Sequence, residues 1–204
     1  MMFSFASRRS VTLIVSIGAL VAIMLSSCGS YDFRGGTTDT LIEAPDFTLT
    51  DTNGDPFRLS DHRGKVVMMF FGFTNCPDIC PTSLGEMAAV NRQLGDKADD
   101  VEMVFVTVDP ERDTPERLQA YIDQFDESII GLHGTPEELE TVFKSYGVKA
   151  IRHDLPDSAV GYVMDHTASI YTVDRDGMWR VMFPYGMPVE DITSDVEYLI
   201  GGWF

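Results

Sequence analysis

One nearly uninterrupted apolar run constrains the fold of this chain more than any other feature. Lys65–Phe73 reads KVVMMFFGF, and such a run suits a central β-strand that other elements cover on both faces. A helix is predicted to follow from about Pro81 to Leu94, and Val101–Val108 repeats the buried-strand pattern. Of the 204 residues, 44% are hydrophobic, enough for a core that needs no disulfide bonds. Strand, helix and strand in this order predict an α/β domain.

The remaining elements add helices and two hairpins to this unit. Thr114-Pro115 and Thr135–Glu138 are signals for helix starts, and Gly147 is placed to end the second of these helices. Turn signals at Asn53-Gly54 and Asp176-Gly177 predict two β-hairpins. The sequence therefore predicts a mixed sheet flanked by helices, with an added N-terminal β-hairpin, in the element order of a thioredoxin-like fold.

Residues 1–27 are predicted to be a lipoprotein signal peptide. Arg8 and Arg9 precede the apolar stretch Val11–Leu25, which as a helix would span only about 22 Å of a membrane core roughly 30 Å thick. A cleaved signal is therefore favoured over a permanent transmembrane helix. The stretch ends in Leu25-Ser26-Ser27-Cys28-Gly29, which resembles a bacterial lipobox, and this resemblance implies that Cys28 is lipidated and becomes the mature N-terminus. The alternative is an ordinary signal peptide with a coincidental cysteine.

This assignment sets the domain boundaries and the compartment. Residues 28–40 are rich in Gly, Thr and Asp without an apolar period, so we expect a flexible tether there and a thioredoxin-like domain over 41–204. We expect an extracytoplasmic bacterial lipoprotein, anchored to a membrane on the periplasmic side or at the cell surface. Cys76 and Cys80 then remain as an isolated pair outside the reducing cytosol.

The charge of the chain excludes one class of partner. The formal net charge is −17, whereas binding to nucleic acid requires clustered Lys and Arg to neutralise phosphates. The same charge disfavours electrostatic docking onto anionic lipid. An acidic surface can attract cations or a basic protein, but it can also serve only solubility.

Cys76 and Cys80 fall where the long apolar strand passes into the next helix. A helix N-terminus presents unpaired N–H groups, which favour a thiolate over a thiol. Two sulfurs four residues apart can close a disulfide or converge on one metal ion. Thiolates suit Cu(I), zinc or iron–sulfur clusters, but two of them need a further ligand from elsewhere. A plain disulfide or two inert buried thiols is the alternative.

Four histidines could supply that ligand, and spacing alone does not choose among them: His62, His133, His153 and His166. Position in a thioredoxin-like fold favours His166, because the loop before the second predicted hairpin faces the cysteine pair. Thioredoxins place a cis-proline in that loop, yet this chain has no proline between Asp157 and Pro184. We expect His153 to lie in a polar loop.

Three separated motifs resemble the conserved blocks of the Sco/SenC family. They are Phe71–Thr82, Val108–Glu116 and Asp165-His166-Thr167, in the order found in the family. The resemblance covers most of the chain from about Leu41 and implies copper binding by Cys76, Cys80 and His166. It also implies delivery of copper to the dinuclear copper site of cytochrome c oxidase, or reduction of the cysteines of that site.

The resemblance leaves the partner open between the copper-site subunit of cytochrome c oxidase and another extracytoplasmic thiol or copper protein. Two thiolates suit Cu(I), and an imidazole would help the same site accept Cu(II). Oxidation of the cysteine pair to a disulfide would eject the metal. We further expect Asp78, Asp109 and Asp165 to lie around the site as supporting carboxylates, although Asp109 could equally cap the turn before Thr114.

Two other functional readings stay open. In the first, the chain is a thiol–disulfide oxidoreductase in which Cys76 attacks and Cys80 resolves, although three residues separate the cysteines where thioredoxins have two. A peroxiredoxin-like peroxidase is a weaker variant of this reading. In the second, zinc stabilises an interaction module, although the predicted core is large enough to fold without metal.

Overall fold

The computed structural model describes residues 31–158 and 160–201 of the chain. The predicted signal peptide, residues 1–27, and Cys28 lie outside the described residues. Within the described ranges, no helix has both the length and the apolar character needed to cross a membrane.

Ten strands are found in the described residues. They are β1 Gly36–Glu43, β2 Thr48–Asp51, β3 Pro56–Arg58, β4 Val66–Gly72, β5 Val101–Thr107, β6 Ile130–His133, β7 Ala150–Leu155, β8 Gly161–His166, β9 Ser169–Val173 and β10 Met178–Pro184. Eight of them form one sheet in the order β1-β10-β9-β4-β5-β6-β2-β3, and β7 pairs with β8 separately.

The predicted central strand is β4. All seven of its residues are buried, and it pairs parallel with β5 and antiparallel with β9. The parallel register places Gly72 opposite Thr107, so β4 and β5 end at the same edge of the sheet. The hairpin predicted at Asn53-Gly54 is β2–β3, which extends the sheet beside β6. These pairings confirm the mixed sheet and the added N-terminal hairpin.

Four α-helices of the described residues flank the sheet: α1 Ile79–Leu94, α2 Pro115–Ile122, α3 Pro136–Tyr146 and α4 Val189–Gly201. The predicted caps are confirmed. The Thr114 side chain accepts a hydrogen bond from the N–H of Arg117, and Thr135 forms a capping box with Glu138. Gly147 ends α3 in the left-handed conformation, with φ of 65°.

The predicted tether, residues 28–40, is wrong in its second half. From Gly36 the chain forms β1, which pairs antiparallel with β10. Just before it, the N–H groups of Arg34 and Gly35 donate to the fully buried Asp195 carboxylate at 2.9 and 3.0 Å. An edge strand held mainly by backbone hydrogen bonds needs no apolar alternation, so its composition resembles that of a linker.

The polar loop expected around His153 is instead the two-stranded β7–β8 sheet, which we call the outer hairpin (Ala150–His166). Five of the six β7 residues are exposed, so the strand shows no alternation of apolar and polar residues. His166 is the last residue of β8, and β9 begins three residues later.

Candidate metal centre

The cysteine pair lies at the edge of the sheet where β4 ends. Cys76 lies in the loop after β4 and is half-buried, and Cys80 lies in the first turn of α1 and is fully buried. Gly72 makes room for this packing. A Cβ placed there would lie 2.7 Å from the Cys80 Sγ and 2.9 Å from the Phe105 ring. The absence of a side chain at Gly72 therefore lets the Cys80 sulfur sit directly against β4.

His166 completes a group of three potential ligands with the two cysteines. Its Nε2 lies 3.3 Å from the Cys80 Sγ and 3.9 Å from the Cys76 Sγ, and the three ligand atoms all lie within 4.8 Å of one another. Among the described residues, this is the one cluster of three His, Cys, Asp or Glu side chains with such spacing. Two sulfurs and one imidazole nitrogen form a donor set that suits copper.

The His166 ring is oriented by its surroundings. The rings of Phe70 and Phe73 pack against it edge-on, with centroids 5.9 and 5.7 Å away. Its Nδ1 lies 3.2 Å from the Thr167 carbonyl oxygen, and since a carbonyl can only accept, Nδ1 carries a proton. The other ring nitrogen, Nε2, faces the two sulfurs. With a proton it donates to a thiolate, and without one it offers a lone pair to a metal.

The two cysteines differ sharply in acidity. The hydrogen bond from the Cys80 thiol is the largest cause that lowers the pKa of Cys76 to about 3; partial burial opposes it, and bonds from His166 and from the backbone of Asp78 and Cys80 assist. Donating that bond, together with burial, raises the pKa of Cys80 above its usual range. Before any metal binds, the pair is thus an accessible thiolate at Cys76 beside a buried thiol at Cys80.

Of the three predicted aspartates, Asp78 and Asp165 line the same cleft as Cys76 and His166, but neither belongs to the group of ligand atoms formed by the two cysteines and His166. Asp78 is exposed, and its backbone N–H, rather than its carboxylate, bonds the Cys76 sulfur. Asp165 is exposed and pairs with the His153 Nε2 at 2.8 Å. Its neighbour His166 points to the opposite face because side chains alternate along β8. Asp109 is buried, and its carboxylate accepts hydrogen bonds from Tyr162 and Arg112.

Asp113 is the carboxylate beneath the loop between β4 and α1 (residues 73–78), which we call the cysteine loop, and no sequence motif singled it out. It is buried and accepts hydrogen bonds from the Thr74 N–H and hydroxyl and from the Thr107 hydroxyl. Burial raises the pKa of Asp113, while the bonds from Thr74 and Thr107 act in the opposite direction. Asp113 follows Asp109 by four residues in the same motif, so spacing gave no means of choosing between them.

The other three histidines are engaged elsewhere. His62 stacks on the Phe57 ring at 4.2 Å, and the His133 Nε2 lies 3.2 Å from the Asp51 carbonyl oxygen. His153 pairs with Asp165 on the outer hairpin. Of the four candidates, His166 alone lies beside the cysteine pair.

The site opens into a cleft between the cysteine loop and the outer hairpin. Its apolar lining around Cys76 and His166 consists of Phe73, Pro77, Ile79, Val163 and Met164, and the exposed Asp78 and Asp165 line it as well. Cys80 lies below this surface, so a partner entering the cleft meets the Cys76 sulfur and the imidazole first.

Comparison with known proteins gives consistent matches over the described domain. The model of the SCO1/SenC family matches residues 35–201. A SCO2-like protein of Rickettsia felis is 33% identical over 194 residues, which cover 94% of this chain and 93% of the relative.

Two solved structures illustrate the likeness in three dimensions. The structure of Bradyrhizobium japonicum ScoI with copper bound is 41% identical with a TM-score of 0.71, over 78% of this chain and 99% of that chain. BsSco, a member of the Sco family of cytochrome c oxidase assembly proteins in which a disulfide switch has been identified, is 27% identical with a TM-score of 0.63. That match covers 81% of this chain and 98% of BsSco.

Proposed function

Because the chain belongs to the SCO1/SenC family, we propose that it is a copper-binding chaperone that assists assembly of the dinuclear copper site of cytochrome c oxidase. The observation that carries the proposal is the convergence of Cys76, Cys80 and His166, whose ligand atoms lie within 4.8 Å of one another. The relative from Bradyrhizobium japonicum, at 41% identity, binds copper. The partner is the copper-site subunit of the oxidase or another extracytoplasmic thiol or copper protein.

The three side chains have distinct roles in this proposal. Cys76 is already a thiolate at neutral pH and is half-exposed in the cleft, so it is the first ligand to meet copper or a partner. Cys80 is the buried second sulfur, and it gives up its thiol proton when it becomes a ligand. His166 supplies a nitrogen from Nε2 while Nδ1 donates to the Thr167 carbonyl. Copper would be the cargo, as Cu(I) or Cu(II), because a site with both sulfur and nitrogen ligands accepts either valence.

The same sulfurs can also release the metal through thiol–disulfide exchange. The Cys76 thiolate attacks a disulfide of the partner, and Cys80 then attacks the mixed disulfide. The balance is one disulfide formed between Cys76 and Cys80, one partner disulfide reduced to two thiols, and two electrons passed to the partner. Both sulfurs then stop being ligands, so the reduction of the partner's copper-binding cysteines is coupled to loss of the metal here.

A second candidate function is favoured by the asymmetry of the pair. An exposed thiolate beside a buried thiol is the arrangement expected of an attacking and a resolving cysteine. The candidate is an extracytoplasmic thiol–disulfide oxidoreductase that uses Cys76 and Cys80 without delivering copper.

Membrane attachment is part of the proposal. We assign residues 1–27 to a signal peptide and Cys28 to lipidation, from the lipobox-like sequence that ends at Gly29. The globular domain follows after a short linker, and its cleft faces other extracytoplasmic proteins. The lipid keeps the domain near membrane-bound partners, which raises their effective concentration.

The test is anaerobic titration of the full-length protein in detergent with Cu(I) and then with Cu(II). Wild type is expected to bind one copper, with sulfur-to-copper charge-transfer bands for Cu(II). Cys80→Ser should lose tight binding of both valences, and His166→Ala should lose mainly Cu(II). His133→Ala is the matched control, because His133 lies outside the site and should leave binding unchanged.

Copper transfer separates the two candidates. Loaded protein, mixed with the metal-free copper domain of the oxidase's copper-site subunit, should pass its copper to that domain. Negligible copper affinity together with rapid reduction of a disulfide peptide would instead favour the oxidoreductase. Copper affinity that is the same in wild type and His166→Ala would overturn the three-ligand site.

A further inference from the structure

The outer hairpin holds the third ligand outside the main sheet. Its strands β7 and β8 pair only with each other, whereas the cysteines are positioned by β4 and α1 of the main body. His166 ends β8, so its distance from the sulfurs depends on how the hairpin is seated on that body. No ladder joins the hairpin to the main sheet, so side-chain contacts fix that seat together with the two-residue link to β9, in which the Ala168 carbonyl accepts a hydrogen bond from the Tyr185 N–H at 3.0 Å.

Tyr162, near the start of β8, contacts the main body through Asp109 and Arg112, whereas Arg152 belongs to β7 of the same hairpin and reaches the body through Glu111, at 2.7 Å. The guanidinium carbons of Arg112 and Arg152 lie 3.6 and 3.7 Å from the centre of the Tyr162 ring. Two such groups cannot occupy one ring face at those distances, so the ring is held between them. The Tyr162 hydroxyl donates to the Asp109 carboxylate at 2.6 Å, and the Arg112 Nη1 donates to the Tyr162 carbonyl at 3.1 Å. We call this group the tyrosine clamp (Asp109, Arg112, Arg152, Tyr162).

The clamp is anchored at the same edge of the sheet as the cysteines. Asp109 and Arg112 lie in the turn after β5, whose last residue is opposite Gly72 of β4. The N–H of Val108 donates to the Gly72 carbonyl at 2.8 Å, which ties this turn to the start of the cysteine loop. The Arg112 guanidinium also lies 5.9 Å from the ring centre of Phe73, which packs on His166.

Strand geometry links the clamp to the ligand. Tyr162, Met164 and His166 alternate along β8 and therefore share one face. Tyr162 is buried at one end of that face, Met164 packs against the core in the middle, and His166 reaches the sulfurs at the other end. Four residues of strand span about 13 Å, so a shift or tilt at the clamp is carried along β8 to the imidazole.

We propose that Tyr162 is a positioning residue for the metal site: seated between Arg112 and Arg152 and bonded to Asp109, it holds the outer hairpin so that the His166 Nε2 faces both cysteine sulfurs. The copper measurement that tests this proposal rests on the proposed copper-binding function. A second measurement uses only the geometry of the metal-free protein and is independent of that function. Burial, followed by the bond to Asp109, raises the pKa of Tyr162 to about 12, so the hydroxyl keeps the proton that it donates.

The test compares four variants of the full-length protein. Tyr162→Leu removes both ring and hydroxyl, and Tyr162→Phe keeps the ring between the guanidiniums. Arg152→Gln removes one guanidinium at a partly exposed position that should tolerate it. Leu155→Ala is the control, because Leu155 lies on the same hairpin, is 39% exposed and takes no part in the clamp.

The metal readout is Cu(II) affinity, with nitrogen hyperfine coupling in the electron paramagnetic resonance spectrum. Tyr162→Leu should weaken Cu(II) binding about 10- to 100-fold and reduce that coupling, as loss of an orienting partner does at metal sites. Tyr162→Phe and Arg152→Gln should show smaller losses, and Leu155→Ala none. Adding His166→Ala to Tyr162→Leu should weaken binding no further than His166→Ala alone. Additive losses in that double variant, or unchanged affinity in Tyr162→Leu, would overturn the proposal.

The independent readout needs no metal. In the metal-free wild type, nuclear Overhauser contacts should connect the rings of His166 and Phe73, whose centroids are 5.7 Å apart. Tyr162→Leu should lose these contacts while the main sheet keeps its amide protection. Their persistence refutes the clamp whether or not copper binds. If wild type fails to bind copper but loses the contacts on substitution, the proposed function fails and the positioning role stands. Should Tyr162→Leu not fold, Arg152→Gln decides: weakened contacts between His166 and Phe73 support the clamp, and wild-type contacts refute it.

Discussion

Replacing Gly72 by alanine tests directly whether the packing of the sheet edge sets the geometry of the cysteine pair. The added Cβ would lie 2.7 Å from the Cys80 Sγ and 2.9 Å from the Phe105 ring. Ordinary contacts between such atoms are about 3.5–4.0 Å, so at least one neighbour must move by about 1 Å. Both neighbours are fully buried, which leaves them little room to do so.

The magnitude follows from the cost of overpacking. An extra methyl group in a tightly packed core costs about 1–3 kcal/mol, so the free energy of unfolding of Gly72→Ala should fall by about 2 kcal/mol. For a domain of this size that lowers Tm by about 4–8 °C. Gly72→Ala should also weaken Cu(I) binding, because it displaces the Cys80 sulfur within the site. This loss of affinity should exceed the part that the lower free energy of unfolding accounts for.

The matched control is Gly85→Ala in α1. A Cβ at Gly85 meets nothing within 4 Å, and alanine favours a helix interior over glycine by about 0.8–1.0 kcal/mol. Gly85→Ala should therefore raise Tm and leave copper affinity unchanged. Differential scanning calorimetry, urea unfolding and Cu(I) competition titration measure both effects. A Gly72→Ala protein with wild-type Tm and wild-type copper affinity would refute the packing argument.

Three further outcomes are expected. In a Cys28→Ser background, the rate at which iodoacetamide alkylates Cys76, measured by peptide mass spectrometry, should change little between about pH 5 and pH 8. The lowered pKa of Cys76 keeps it a thiolate across that range. A rate that rises about tenfold per pH unit would contradict this. Asp113→Ala should lower the free energy of unfolding in urea by about 1–3 kcal/mol, because the Thr74 and Thr107 donors lose their buried acceptor; unchanged stability would show that water replaces the carboxylate. Removing metal with a chelator should leave the circular dichroism spectrum intact, whereas free copper at about a hundred times its Kd should stabilise the fold by about 2.7 kcal/mol; unfolding on chelation would favour the zinc-stabilised module.

The sequence predicted the elements whose residues carry a strong local signal. The apolar run of β4, the caps at Thr114 and Thr135 and the turn glycines all depend on neighbours in the chain, and all are found as predicted. Selection of His166 among four histidines needed the fold, because the residue lies 86 positions from Cys80. The position of His166, in the loop where thioredoxins place a cis-proline, supplied the choice that spacing could not.

The elements that were missed lack any local signal. β1 is an edge strand whose two large apolar residues, Leu41 and Ile42, are adjacent and exposed, and β7 is almost wholly exposed, so neither shows the alternation that identifies a half-buried strand. The supporting carboxylates are a mixed case. Asp78 and Asp165 neighbour ligands in sequence and line the cleft with them, whereas Asp109 bonds Tyr162 and Arg112. Asp113 reaches the cysteine loop through a tertiary contact that the sequence does not reveal.

The buried Asp195 gives the N-terminal segment a role in how the protein would respond to proteolysis. Its carboxylate accepts the backbone N–H groups of Arg34 and Gly35, and the strand that follows covers the edge of β10. Under the proposed lipidation of Cys28, a protease that cut the chain between Gly35 and Leu41 would release the domain without these two donors. A cut within β1 would also uncover the edge of β10. Release at these positions would therefore yield a destabilised fragment, whereas a cut before Arg34 would leave both donors in place.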